Sequence, residues 1–246
     1  MDGEVEARRY RPDTFALETI WATTGGRVAV TDFLPPGAGH ADLVRRVHCL
    51  EGRGEVQHDL RLRFDFARAT PWIRRTTHPR ADVPVWLSLA GPDGIMVAGP
   101  PLSEAADQYP YRSPEPTTEG SIAPTLDGRF TLSAGERLDW SLVWFPSYEP
   151  LPDLVDGERA EAEAVRFWTS WANGITTDAD HGRHQPAVRR SLLVLRALTH
   201  GRTGGIVAAP PPRRCRSSSV AGATGTTATP GSAMPPSPSR CWSRTD

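Results

Sequence analysis

Cysteine is scarce in this 246-residue sequence: Cys49, Cys215 and Cys241 are the three present, an odd number at wide spacing that argues against a disulfide framework or a zinc site. Cys49 reads as a small buried hydrophobe in a strand. No run approaches the roughly 18 consecutive apolar residues of a membrane-spanning helix. The opening "MDGEVEARRY" has no apolar signal core, so the expected compartment is the cytoplasm. Charge of one sign is also lacking. The net charge is −1 with acids and bases interspersed, and nothing in it asks for a nucleic acid or an anionic membrane as partner. No cofactor motif is present.

What is there falls into three regimes. Residues 10–150 are rich in Val, Leu, Trp and Phe cut by Gly and Pro; residues 153–200 are poor in Gly; beyond 210 the chain is mostly Pro, Arg, Ser, Ala, Gly and Thr. At 38% hydrophobic content the chain has enough apolar residues for a real core.

The first regime alternates with period two. In "GEVQHDLRLRFDF", Val56, His58, Leu60, Leu62, Phe64 and Phe66 share one face, and Asp59, Arg61, Arg63 and Asp65 share the other, which predicts a strand with one buried face. Gly52 and Gly54 predict a hairpin joining this run to "DLVRRVHCLEG". Gly25-Gly26 predicts another within "FALETIWATTGGRVAVTDFL", stopped by Pro35-Pro36. With the further runs "VPVWLSLA", "GIMVAG" and "RLDWSLVWFP", the pattern implies an antiparallel β-sandwich.

The second regime has helical period. In "GERAEAEAVRFWTSWA", Ala160, Ala164, Phe167, Trp168 and Trp171 form an apolar stripe, opposite Glu158, Glu161 and Glu163. Those acids are expected to be solvated groups that complement the helix dipole rather than a catalytic pair. A second helix is predicted from Pro186 through "AVRRSLLVLRALTH", with Val188, Leu192, Leu195 and Leu198 inward and Arg189, Arg190 and Arg196 outward.

Other chemical candidates are weaker. His181 and His184 have i, i+3 spacing, but the Gly between them and the Pro beyond point to a loop, with no third metal ligand nearby. His40 and Asp42 resemble half of a site, although Asp42 more simply begins a strand after a glycine-rich turn. Trp21, Trp140 and Trp144 could stack on sugar rings, yet they sit in strand patterns where packing is the commoner role. The residues by themselves assign no catalytic, cofactor or metal site.

The segments "RRYRPDTFALET", "VAVTDFLPPGAGHADLVRRV", "LRLRFDFARATPWIRR", "VWFPSYEP" and "VRRSLLVLRALTHGRTGGIVAAP" resemble the bacterial glucoamylase and trehalase-like proteins of glycoside hydrolase family fifteen. The resemblance runs from about Arg8 to Pro210. It implies a mainly β fold: an incomplete antiparallel β-sandwich over 1–152, a linker helix within 153–182 and the first helix of an (α/α)6 barrel within 183–210, while composition predicts a disordered tail over 211–246. It further implies a small carbohydrate substrate and inverting hydrolysis of an α-glucosidic bond, in which one glutamic acid protonates the leaving oxygen and a second carboxylate activates water. In such proteins both carboxylates belong to later ring helices, and further strands usually precede the segment like "RRYRPDT". An opened sandwich and a ring helix without partners predict exposed apolar surface and low stability.

The tail is ordered in an unexpected way. After the segment like "GGIVAAP", the family continues with "LPEQ" and then a segment of the form "RNWDYRYxWLRDA". Reading codons for that segment from the second base turns Arg-Asn-Trp-Asp-Tyr-Arg-Tyr into Ala-Thr-Gly-Thr-Thr-Ala-Thr, which is Ala223 to Thr229. The same shift gives Pro230 to Pro235, including Met234, and upstream Cys215 to Ser218. Each match has a chance of about one in ten on ordinary residue usage, so the order predicts a frame change near residue 210.

Overall fold

The computed structural model describes residues 3–37, 41–65, 69–105, 125–176, 182–201 and 203–206. The tail from 207 onward, with Cys215, Cys241 and the frame-change reading, lies outside them, as do His40, Phe66 and His181. The fold is mainly β, with antiparallel pairing throughout and two α-helices among the described residues.

The strands are β1 (Gly3–Tyr10), β2 (Leu17–Thr23), β3 (Gly26–Phe33), β4 (Ala41–Leu60), β5 (Trp72–Thr77), β6 (Pro84–Ala90), β7 (Asp93–Ala98), β8 (Ser103–Ala105), β9 (Thr125–Ser133) and β10 (Arg137–Pro146). The large sheet runs β1-β2-β3-β4-β10-β7-β6-β5, and the small one joins the far half of β4 to β9 and β8. The expected β2–β3 hairpin forms, and the Thr23 hydroxyl donates to the Gly26 carbonyl at 2.8 Å to close its turn. The burial alternation expected over residues 56–64 is present, with Val56, His58, Leu62 and Phe64 buried and Glu55, Gln57, Asp59 and Arg61 exposed, but the strand ends at Leu60, and beyond it Phe64 makes an isolated bridge to Ala69.

The hairpin expected at Gly52 and Gly54 is not formed. Ala41 to Leu60 is one continuous strand that pairs with β10 through its first half and with β9 through its second. Gly52, opposite Gly26, supplies a positive φ of 67° next to a register shift between Arg27 and Val28, so it bends the strand instead of reversing it. The partner strand bends at the same level. Between β9 and β10, the Gly135 amide donates to the Cys49 carbonyl at 2.8 Å and the Ala134 amide to the Gly52 carbonyl at 2.9 Å. Two collinear strand pairs thus turn the corner together from the large sheet to the small one. The sandwich core fills the angle: Val28, Val47, Cys49 and Trp140 from the large sheet meet Val56, Leu126 and Leu132 from the small one.

The other face of the large sheet is covered by residues 151–156 and helix α1 (Gly157–Asn173). Asp156 caps α1 by accepting from the amides of Glu158 and Arg159, at 3.0 and 3.1 Å. Ala160 and Ala164 are small enough to bring the helix close to Ala16, Phe33 and Val44. Residues 1–180 form one compact unit and residues 181–246 another. In the second, helix α2 (Gln185–Ala197) comes after one turn of 3₁₀ helix and carries Pro186 in its first turn. Its inward stripe differs from the expected one. Leu193 is buried and Leu195 is 48% exposed, while Val188, Arg189, Arg190, Leu192 and Arg196 are half-buried. "LLVL" is apolar on every side, so hydrophobicity could not set the rotation of this helix.

Candidate functional site

Two consecutive arginines on a strand must point to opposite faces. On β4, Arg45 goes toward the sandwich interior, where it pairs with Asp32 at 2.7 and 3.0 Å, and Arg46 goes toward α1. Arg46 makes two hydrogen bonds of 2.8 Å to Asp139 of β10 and a third to Glu161 of α1. The other Glu161 oxygen is held by Arg11. The result is a neutral chain of four charges, Arg11–Glu161–Arg46–Asp139, in which the Arg46 side chain is 10% exposed and that of Glu161 13%. The hydrogen bonds from Asp139 raise the Arg46 pKa further above its ordinary value.

Glu161 is therefore not the solvated acid expected from its place in the helix. It lies next to Ala160 and Ala164 on the inward face, because an apolar stripe of alanines leaves room for a carboxylate to reach guanidinium groups below. Glu158 remains exposed, and Glu163 accepts from Arg159 one turn earlier at 2.8 Å. Both Glu161 oxygens are engaged, as are both of Asp139. The arrangement suits holding the helix on the sheet more than moving a proton.

Two concavities are described in the sandwich unit. One, of about 480 Å³, is bounded by Pro35–Gly37, Asp42, residues 152–156, Arg159 and Glu163. Its acids have structural work: Asp156 caps α1, Asp153 pairs with Arg80 at 2.8 Å, and Asp42 is 6% exposed at the start of β4, as expected of a strand-opening residue. The other, of about 200 Å³, lies among Arg75, Trp86, Val97, Pro100, Pro101, Leu102 and Trp140. The indole N–H groups of Trp86 and Trp140 donate to the Leu102 and Pro100 carbonyls, at 3.1 and 3.2 Å, so these rings are tied to the loop above them.

The candidate tryptophans separate. Trp140 is fully buried and stacks on His58, with ring centroids 4.4 Å apart. Trp21 is half-buried, whereas Trp144 is 38% exposed and donates its N–H to Asp93 at 2.9 Å. Cys49 is buried as expected, with its thiol against the Glu51 and Gly52 carbonyls. His184 precedes α2 and accepts from the neighbouring Arg183 side chain at 3.2 Å. Among the described residues no group of three His, Cys, Asp or Glu is arranged to hold a metal ion, and no helix is long and apolar enough to cross a membrane.

The chain resembles trehalases. It is 26% identical over 233 residues to a trehalase of Mycolicibacterium smegmatis, covering 83% of this chain and 31% of the relative. The match to a trehalase of Mycobacterium tuberculosis is also 26%, over 229 residues, covering 82% of this chain and 30% of the relative. The chain thus spans about a third of the length of these curated trehalases. No protein-family model matches the sequence. The trehalase resemblance takes in most of the chain, so it extends over the sandwich whose charged residues are committed to packing α1. Sequence reading did not single out Arg11, Arg46 or Asp139. The adjacent arginines of "LVRRV" were the available signal, since a strand covered on both faces must bury one of them.

Proposed function

We propose that this chain belongs to a glycoside hydrolase that cleaves α-glucosidic bonds, in trehalose or α-linked glucose oligomers, by inverting acid/base hydrolysis. The observation that carries the reading is the 26% identity to two trehalases over more than four-fifths of the chain. On this reading residues 1–152 are the sandwich, 153–182 a linker helix and 183–210 the start of an (α/α)6 catalytic ring in a cytoplasmic enzyme. The catalytic carboxylates would then reside in ring helices beyond the in-frame part of this sequence, and residues 211–246 would be an out-of-frame tail with no function. The ion-paired state of Glu161 and Asp139 is compatible with a supporting role for the sandwich.

The expected result is that the purified 246-residue chain releases no glucose from trehalose or maltose. Release of glucose by the purified chain would place catalytic groups within it and overturn the reading of inactivity. Sequencing the locus tests the tail: a single shift near codon 210 should restore "NWDYRY" and a long downstream frame.

A second reading, a stand-alone carbohydrate-binding module, draws on the exposed Trp144 beside the Asp93 carboxylate and on Trp72, which is 58% exposed. An aromatic face with a neighbouring acceptor matches the apolar face and hydroxyl rim of a pyranose. Saturable binding of maltose or trehalose that is lost in Trp144→Ala would favour the module.

A further inference from the structure

The cavity of about 200 Å³ in the sandwich unit is nearly empty of hydrogen-bonding capacity, and the one group left over is a cation. Arg75, Trp86 and Val97 stand in one cross-strand row over β5, β6 and β7, so their side chains share a face of the large sheet. Buried Val97, Leu102 and Trp140 close the deep end, and exposed Arg75, Pro84 and Pro101 stand at the mouth. Trp140 can lie against the wall because residue 99 is glycine: its φ is 143°, and a Cβ there would stand 2.8 Å from the indole Cδ1. Pro84, Pro100 and Pro101 have no N–H to offer. The indole N–H groups of Trp86 and Trp140 already donate to the Leu102 and Pro100 carbonyls. Among the described residues no acid lines the cavity, and the Arg75 guanidinium has no ion-pair partner. A neutral sugar entering here would give up its water without finding partners for its hydroxyls along these walls. An apolar ring ending in an anion would leave nothing unpaired.

We propose that this cavity binds a small aromatic carboxylate, its ring against Trp86 and Trp140 and its carboxylate held at the mouth by the fork of Arg75. The size suits a single ring. A dry apolar cavity of about 150 Å³ accommodates benzene, and the additional space toward the mouth takes the carboxylate. The site is independent of the hydrolase reading, whose ligand is a neutral sugar. Arg74 provides an internal control, because it precedes Arg75 in β5 and so points to the opposite face, where its guanidinium lies 5.0 Å from the centre of the Trp72 ring. A carboxylate drawn only by the positive charge of this strand would not distinguish the two arginines. A ligand in the cavity would.

The test is isothermal titration of the full chain at neutral pH with sodium benzoate, with benzyl alcohol as its uncharged counterpart and glucose as a polyol. Benzoate should saturate at one molecule per chain, benzyl alcohol should bind at least about tenfold more weakly, and glucose should not compete. Arg75→Gln should weaken benzoate at least about tenfold and leave benzyl alcohol unchanged. Arg75→Lys, which keeps the charge, should lose less than Arg75→Gln, and Arg74→Gln should leave benzoate binding as it was. Arg75 is exposed, so its replacement should not disturb folding, and circular dichroism matching the unchanged chain checks this. No saturable binding of benzoate, equal affinity for benzoate and benzyl alcohol, indifference to Arg75→Gln, an equal loss in Arg74→Gln, or displacement of benzoate by glucose would each overturn the proposal.

Discussion

His58 sits between the two sheets with its ring parallel to that of Trp140, at an interplanar angle of 4°, and its Nε2 is buried with no hydrogen-bond partner among the described residues. Burial pushes its pKa down to about 4, helped by the charge of Arg45 and opposed by Asp32 and Asp59. The folded pKa is below the unfolded value, so this group's contribution to stability is complete above pH about 6.5 and is lost as pH falls toward 4. Between those limits the unfolded chain binds a proton that the folded chain refuses, with a slope of at most about 1.4 kcal/mol per pH unit. Urea unfolding at pH 4.5, 5.5 and 7 should show stability rising with pH, and His58→Phe, which keeps a ring against Trp140, should flatten the rise. An unchanged slope in the variant would assign the proton elsewhere. The alternation of residues 56–64 placed His58 inward from the sequence, but its stacking partner was not legible. Trp140 lies more than eighty residues away and meets it only because β4 and the β9–β10 pair bend together.

At the scale of elements, the corner in β4 rests on backbone approaches that only glycine permits. A Cβ on Gly52 would stand 2.2 Å from the Gly25 carbonyl oxygen, and its φ of 67° is already in the left-handed region. Gly52→Ala should therefore destabilise the fold by about 2 kcal/mol or more, since both strain and a backbone clash must be relieved. Gly54→Ala meets a packed Val28 methyl at 2.4 Å rather than backbone and carries no positive φ, so it should cost less than Gly52→Ala. Chemical denaturation of both variants checks the order, and equal costs would mean that the bend relaxes easily. The same glycines explain why sequence reading expected a hairpin here: a positive-φ glycine between two apolar runs fits a reversal or a bend equally well, and the pairing of distant strands decides. β1 went unread for the opposite reason, because charges on both of its faces leave no alternation. In β9, Leu126, Phe130 and Leu132 do alternate with charged or hydroxyl residues, so that signal was present in the sequence.

At the scale of the molecule, apolar burial is divided unequally between the two units. Every residue of the four buried clusters falls within 1–180, whereas Leu193 is the buried hydrophobic residue described in 181–246. Val194, Leu195 and Ile206 of that second unit are 38%, 48% and 55% exposed. Few buried apolar contacts mean a low free energy of local opening, so the second unit should open well before the sandwich does. Among the described residues, brief digestion with trypsin under native conditions should cleave first between 182 and 206, at sites such as Arg189, Arg190 and Arg196, and leave a resistant fragment that ends near residue 180. Because α1 is anchored by Glu161 through Arg46, itself clamped to Asp139, that fragment should retain α1 and the thermal midpoint of the whole chain within a few degrees. Early cleavage at Arg159 or Arg166, or loss of the sandwich transition once the second unit is removed, would show that α1 depends on the second unit rather than on the sheet beneath it.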